Sequence, residues 1–380
     1  MLKVGIIGLG NTGNQVAALA QERLKVPVVA INSSEKDLES VPQIKVRRLI
    51  KKKDGESAGA GKDRSLAKQY LKDSVMDLLK DEEINEIIMG LDVVFVVSST
   101  GGGTGSGTAP ILTNLISERF ADTKCIMVGV LPVNNEAYSS HVNTLQYLDE
   151  LYNVLSNQTY MLYDNDKLAG LPSYQLLEKV NNEIVSDIDV LRCTYNTKTQ
   201  YDSIDDRDMT RLISFSGRIM VSRLEGFQEK DCDNQTIEDM IITNIKKNCH
   251  VESQRDHKVM ATGIITNLSD ALTSDFDNNI PKVREFVGDP VHAFAHIKVN
   301  EDRKDPNNVF FIETGLTPIN DRINRISDRV EEIEQKQKVL EDENALSDIN
   351  IKALSETVKD EEKVINENMD VNSIFSKFDI

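Results

Sequence analysis

Two glycine-rich segments and one pair of carboxylates are the residues in this chain best suited to chemistry. Gly8-Leu9-Gly10-Asn11-Thr12-Gly13-Asn14 follows the apolar run Val4-Gly5-Ile6-Ile7 and opens an amphipathic stretch. Glycines let a backbone turn tightly and approach phosphate oxygens, while a helix N-terminus offers free N–H groups and a favourable dipole. Alone, the segment also fits the GxGxxG dinucleotide fingerprint. That reading wants an acid at the end of the second strand for the ribose hydroxyls, and Asn32 stands there. The second segment, Ser98 to Pro110, has five glycines in the seven positions Gly101, Gly102, Gly103, Thr104, Gly105, Ser106 and Gly107. It lies between a buried strand and a helix expected to begin at Pro110. Its consecutive amides can wrap an anion, with the Thr104 and Ser106 hydroxyls as further donors. No Lys follows, so it is not a Walker A loop, and a flexible linker would not sit between a strand and a helix start. Asp205 and Asp208 stand three apart at a helix start. Two such carboxylates can point the same way, or can serve as ordinary N-caps.

The elements that must position these residues alternate. Val4–Ile7, Val28–Ile31, Leu91–Val97 and Cys125–Leu131 read as buried strands, separated by amphipathic stretches over Gln15–Arg23, Leu66–Leu79 and Pro110–Phe120. This alternation predicts a mainly parallel sheet covered on both faces. A helix over Ser173–Tyr195 carries one apolar stripe through Leu176, Val180, Ile184 and Ile188. Helical stretches at Met209–Leu224 and Thr236–Asn248, then strands at Lys258–Ile265, Val291–Val299 and Val309–Leu316, predict a second, α+β domain. After Pro318 a long polar helix carries a heptad-like seam from Ile319 to Leu340, interrupted by Gln337 and read as lying along the body of the protein. Acidic residues dominate Glu341–Asp370, which predicts a mobile segment, and the last residues regain apolar character. The expected divisions are therefore 1–172, a central helix 173–196, a second domain 197–317, a C-terminal helix 318–345 and a tail 346–380.

Composition narrows the class. The chain has 380 residues, 39% hydrophobic and 28% charged, with a net charge of −18. So acidic a surface disfavours direct, non-specific DNA binding. The run Lys45–Lys53, six basic residues in nine, is the local exception and reads as a solvated surface loop. No apolar run is long enough to span a bilayer and no secretory signal is visible, so no membrane association is expected. Four scattered cysteines without a CxxC pair fit a reducing cytoplasm.

The segment Gly101–Gly107, GGGTGSG, matches in full the signature loop of the tubulin/FtsZ superfamily, and the chain resembles that family over residues 1–316. The resemblance implies a Rossmann-like GTPase domain, a central helix and an α+β activation domain. It also implies GTP and GDP as ligands, with Mg²⁺. Gly8–Asn14, including Gly10, Asn11, Thr12 and Asn14, looks like the first phosphate loop and Asn32–Asp37 the second. Ala58-Gly59-Ala60-Gly61-Lys62 resembles the loop that senses the γ-phosphate. Glu136, in Pro132-Val133-Asn134-Asn135-Glu136, falls where the family holds the ribose, although the FtsZ arginine four residues on is Ser140 here. Asn165 and Asn182 match positions that face guanine, and an amide supplies the donor and acceptor that the guanine edge needs. In this family the acids after the central helix enter the next subunit's pocket and orient the attacking water, which gives Asp205 and Asp208 the catalytic role. The usual Asn two places before the first acid is Ser203.

The extended C-terminal helix and divergent tail look most like the TubZ type, the filament proteins of plasmid and phage DNA segregation. That likeness implies head-to-tail self-association and a small DNA-binding adaptor at a centromere-like site. An FtsZ-like division or phage-positioning filament is the alternative, and a Rossmann oxidoreductase a distant third.

Overall fold

The computed structural model describes residues 1–53, 55, 59–192, 203–251, 259–277, 280–300, 306–342 and 375–377. Along the described chain run β1 (Val4–Leu9), α1 (Gly10–Leu24), β2 (Val28–Asn32), α2 (Glu35–Glu39), β3 (Val46–Leu49), α3 (Arg64–Lys80), α4 (Glu82–Met89) and β4 (Val93–Ser99). There follow α5 (Thr104–Arg119), β5 (Lys124–Leu131), α6 (Tyr138–Asp149), β6 (Thr159–Asp164), α7 (Ser173–Leu191), α8 (Asp206–Leu212) and β7 (Gly217–Phe227). The rest comprises α9 (Ile237–Lys247), β8 (Ala261–Leu268), α10 (Asp270–Asp275), α11 (Pro281–Val287), β9 (His292–Val299), β10 (Asn307–Leu316) and α12 (Asn320–Asp342).

The strands form one ten-stranded sheet in the order β3-β2-β1-β4-β5-β6-β7-β10-β8-β9. From β3 to β7 neighbours are parallel. β10 runs antiparallel to both β7 and β8. The parallel strands are buried on both faces, so they read as unbroken apolar runs: Val93 to Val97 are all 0% exposed. Each such side chain contributes about 1.5–3 kcal/mol by leaving water. One face packs against α1 and α7, through Val16, Ala17, Val180 and Ile184. The opposite face packs against α3, α5, α6 and α12, through Leu71, Ile111, Tyr147 and Ile326. A separate cluster gathers α9 and α11 against β7, β8 and β10.

The helix expected over Met209–Leu224 is a correction. It stops at Leu212, and β7 occupies most of its second half. Gly217, at φ 113°, breaks the helical run, and β7 then pairs with β10 from Arg218 to Phe227. The basic run Lys45–Lys53 contains β3, a four-residue edge strand rather than only a loop. Charged residues suit such an edge because they discourage pairing with other chains. Arg48 there meets Asp81 at 2.5 Å and Glu83 at 2.8 Å. The C-terminal helix does lie on the body: Ile319 and Ile326 are buried, whereas Val339 and Leu340 near its far end are exposed. Phe375 is buried against the same face as Ile326, and Lys377 Nζ lies 3.5 Å from Glu118. The rest of the tail, with Ile374, Phe378 and Ile380, lies outside the described residues.

Candidate functional site

The glycine segments meet at the C-terminal edge of the parallel strands. From β1 the chain steps outward to β2 and β3, then returns to β1's other side at β4. This reversal opens a crevice beyond the strand ends, where ligands bind in sheets of this type. Gly10, at φ 71°, turns the chain from β1 into α1, and a Cβ there would stand 3.1 Å from the Gly105 nitrogen. A Cβ on Gly105 would stand 2.8 Å from the Leu9 carbonyl oxygen. The two loops therefore touch backbone to backbone. Gly13 does different work: its missing Cβ would lie 2.1 Å from the Val97 carbonyl oxygen, so it allows α1 to pack closely on β4. In the first turn of α1, Asn11 is exposed and Thr12 half-buried. Asn14 is 0% exposed, and neither atom of its amide has a hydrogen-bond partner.

The signature helix begins at Thr104, six residues before the expected start at Pro110. Gly105, Ser106 and Gly107 thus form its first turn and add a helix N-terminus to the crevice. Pro110 is tolerated inside for a local reason. It has no N–H, so the Ser106 carbonyl loses its partner one turn on, and Arg64 NH2 donates to that carbonyl at 2.8 Å. Arg64 is itself buried and paired with Glu150 at 2.6 Å. Gly101 to Gly103 form the turn before the helix. The Thr104 and Ser33 hydroxyls are 2.6 Å apart, which ties in the segment after β2. Asn32 shapes that segment, its Oδ1 accepting from the Ser33 N–H at 2.8 Å.

Gly61 and Lys62 close the crevice from the side. Lys62 adopts the left-handed φ of 67°, and a Cβ on Gly103 would lie 3.0 Å from its nitrogen. Asn143 Nδ2 donates to the carbonyls of Lys62 at 2.8 Å and Gly102 at 3.1 Å, lacing the two loops together. The Lys62 ammonium donates to Ser140 Oγ at 2.7 Å and stands 3.9 Å from Glu136. A cation therefore sits beside the position where the resemblance led one to expect an arginine. Sequence reasoning missed both Asn143 and Arg64. Neither lies in a glycine segment, and each acts on loops distant in sequence.

Asn165 follows β6 at the same edge, buried, with its Oδ1 unpartnered. Asn182 is not brought to the glycine segments. On α7 it accepts from Arg23 NH1 at 3.0 Å and donates to the Glu178 carbonyl at 2.8 Å. Arg23 lies in the last turn of α1, about 20 Å along the helix from Gly10.

Asp205 and Asp208 stand at the other end of the sheet. Asp205 Oδ1 accepts from the Asp208 N–H at 2.8 Å, and Asp208 Oδ2 accepts from the Asp205 N–H at 3.4 Å, a reciprocal capping box on α8. Their neighbour Asp206 binds the Met1 ammonium at 2.6 Å. Met1 precedes the N-terminal end of β1, whereas the first glycine segment leaves its C-terminal end, about 20 Å along a six-residue strand. His296, on β9, supports the turn before α8 by accepting the Ile204 N–H on Nδ1 at 3.2 Å.

Residues 3–172 match the family described as "Tubulin/FtsZ family, GTPase domain". The similarity to the tubulin/FtsZ family thus falls on the part of the chain that carries both glycine segments. The chain is 30% identical over 194 residues to the tubulin-like protein CetZ of Pyrococcus abyssi, covering 48% of this chain and 50% of that one. It is 28% identical over 239 residues to cell division protein FtsZ 1 of Pyrococcus horikoshii, covering 62% and 60%. The chain thus spans about half the length of the CetZ relatives it matches. Among solved structures, a GTPγS-form protofilament of Bacillus thuringiensis serovar israelensis TubZ aligns with TM-score 0.72 at 19% identity, covering 90% of this chain and 94% of that one. The helical model of a two-stranded TubZ-Bt filament aligns with TM-score 0.74 at 19% identity, covering 94% of each. The tubulin/FtsZ fold therefore extends beyond the matched GTPase domain through the second half of the sheet.

Proposed function

We propose that this chain is a tubulin/FtsZ-family protein that binds and hydrolyses GTP, and that it assembles head to tail so that each subunit's nucleotide site is completed by the next subunit's acids. The supporting observation is the separation of two half-sites. The phosphate-binding glycine loops lie at one edge of the sheet, and Asp205 and Asp208 at the opposite edge. Within one chain the acids cannot reach the loops, but stacking two chains along the strand axis brings the edges together. In this reading the amides of Gly10–Thr12 and Gly101–Ser106 hold the phosphates, Gly61 and Lys62 meet the γ-phosphate, Glu136 the ribose and Asn165 the base. Asn14 supplies an amide whose hydrogen bonds are otherwise unmade, a deficit costing about 1–3 kcal/mol when buried. Asn182, held by Arg23 at the far end of α1, takes no part in the base contacts in this reading. The neighbour's Asp205 and Asp208 orient the water, so catalysis is positioning and electrostatics.

Among the described residues no three acids, histidines or cysteines cluster to hold a cation. Mg²⁺ is accordingly proposed to arrive on the nucleotide, bound by phosphate oxygens, as is usual for this ion. The biological setting we propose is plasmid or phage DNA segregation in a bacterial cytoplasm, through a DNA-binding adaptor. The fold-wide likeness to TubZ and the long α12 support it.

The test is GTP turnover per subunit against protein concentration, read with light scattering in GTP, GDP and a slowly hydrolysed analogue. Turnover should rise steeply above an assembly threshold. A rate per subunit independent of concentration would mean a self-contained site and end the proposal. A co-encoded small DNA-binding protein that captures the filaments on its own DNA site would establish segregation; filaments indifferent to it would favour a division or positioning role.

A further inference from the structure

We propose that Arg322 is a positioning residue for the nucleotide's ribose, which makes the C-terminal helix part of the nucleotide site. The inference rests on the assignment of Glu136 and Asn165 above. Arg322 lies in the first turn of α12, yet it is only 1% exposed. Its NH1 donates to Asn134 Oδ1 at 2.8 Å. Its NH2 donates to the Pro132 carbonyl at 2.7 Å and to Asp164 Oδ1 at 3.0 Å. Its Nε stands 2.9 Å from Asp164 Oδ2. The partners are the ends of the two strands that lead into the proposed ribose and base contacts. Pro132 and Asn134 begin the segment that delivers Glu136, and Asp164 immediately precedes Asn165.

A second chain of bonds closes the ring. Asp164 Oδ1 accepts from the Asp166 N–H at 3.1 Å, and Asp166 Oδ1 accepts from the Asn134 N–H at 3.0 Å. Inside the segment, Glu136 Oε1 accepts from the Val133 N–H at 3.3 Å, so the carboxylate takes its position from the backbone that Arg322 holds. Further along α12, Arg329 Nε donates to the Asn134 carbonyl at 3.2 Å and Glu334 accepts from the Tyr138 hydroxyl at 2.7 Å. The helix thus grips the Glu136 segment along its length.

Stability alone is a poor reason for this arrangement. An ion pair this deeply buried gives up hydration that its mutual attraction barely repays, and apolar side chains of like volume would hold a helix as well. Burial indeed pushes the Asp164 carboxyl upward despite the guanidinium beside it. What apolar contacts cannot supply is direction. A planar guanidinium fixes a carbonyl, an amide oxygen and a carboxylate in one orientation. That orientation sets where Glu136 stands relative to a ribose hydroxyl.

The test is calorimetric affinity for GTP and for 2′-deoxy-GTP in the full chain and in Arg322→Lys, which keeps the charge and loses the fork. The ratio of the two affinities separates positioning from mere support, since a helix that only stabilises the fold weakens both ligands alike. We expect the native preference for GTP to fall about tenfold in Arg322→Lys, the scale of one hydrogen bond to a charged group. Arg329→Ala combined with Tyr138→Phe spares the buried pair and should move the ratio the same way by a smaller factor. This second variant decides the matter if Arg322→Lys does not fold. An unchanged ratio in the folded variants, or equal weakening of both ligands, overturns the inference. So does a native protein that binds both nucleotides equally. A native protein that binds neither overturns the GTP assignment itself, and that is visible before any variant is made.

Discussion

The two edges of the parallel sheet are built on opposite principles. At the C-terminal edge, loops distant in sequence are pressed together: Gly10 on Gly105, Lys62 on Gly103, Ser33 on Thr104, with Asn143 and Arg64 holding the seams. Its polar deficits, at Asn14 and Asn165, are buried. At the N-terminal edge, Asp205 and Asp208 accept from each other's amides, Asp205 exposed and Asp208 half-buried. In the proposed reading one edge receives a ligand and the other offers two acids. An active site divided in this way would be idle in a monomer, and it would tie chemistry to assembly without any moving part.

The most severe way to break the comparison is to fill the receiving edge. Gly105→Leu should abolish GTP binding in calorimetry, because its side chain must enter space held by the Leu9 carbonyl and the Ser98 side chain, the latter 3.0 Å from the Cβ. Retained affinity in a folded Gly105→Leu protein would mean that the crevice is not the phosphate site.

Disabling the offering edge should leave binding intact. Asp208→Ala is expected to lower GTP turnover by about a hundredfold, the scale of losing one positioned electrostatic group. Its stability should fall by only about 1 kcal/mol, the value of a lost cap. Mixing Asp208→Ala with Gly105→Leu sharpens the contrast. Each supplies the half-site the other lacks, so part of the turnover should return in the mixture. No recovery in mixed filaments would argue against sharing between subunits.

A milder perturbation works through His296. Burial, aided by Lys298, lowers its pKa from the ordinary 6.5, so the folded protein keeps the ring neutral as an acceptor for Ile204. The unfolded chain takes up the proton more readily. The stabilisation is therefore complete above about pH 6.5 and lost as pH falls from there toward the folded-state value. Tm should decline over that acid window, and less so in His296→Gln. Equal declines in both proteins would assign the effect to other groups.

The smallest effect belongs to the chain's end. Deleting residues 372–380 removes the buried Phe375 and should cost about 1–2 kcal/mol of stability, read as a lower Tm. GTP affinity should be unchanged, since Phe375 packs on the face of α12 and the sheet rather than in the crevice. A change in affinity would draw the tail into the nucleotide site.

Much of this was legible in the residues because local chemistry dictated it. Runs such as Val93-Val94-Phe95-Val96-Val97 can only be strands buried on both faces, and GGGTGSG after one of them marks an anion-binding turn. Asp205 three residues before Asp208 gave a helix start, although the same spacing equally suited a cap and a catalytic pair. Three strands were not legible. β3 is charged because it is an edge, β6 is only six residues long, and β7 alternates weakly enough to pass for a helix until β10 pairs with it.

What the sequence determined by itself was most of the strand and helix alternation and the glycine segments as candidate phosphate loops, since both depend on residues near one another in the chain. Only the tertiary structure decided which distant groups share a place. It set Arg64 on the carbonyl orphaned by Pro110, and Arg322 between the ends of β5 and β6. It also set the two acids at the far edge of the sheet from the glycines. Hydrogen bonds and ion pairs act over about 3 Å, and no spacing along a chain reveals which residues folding will bring within that reach.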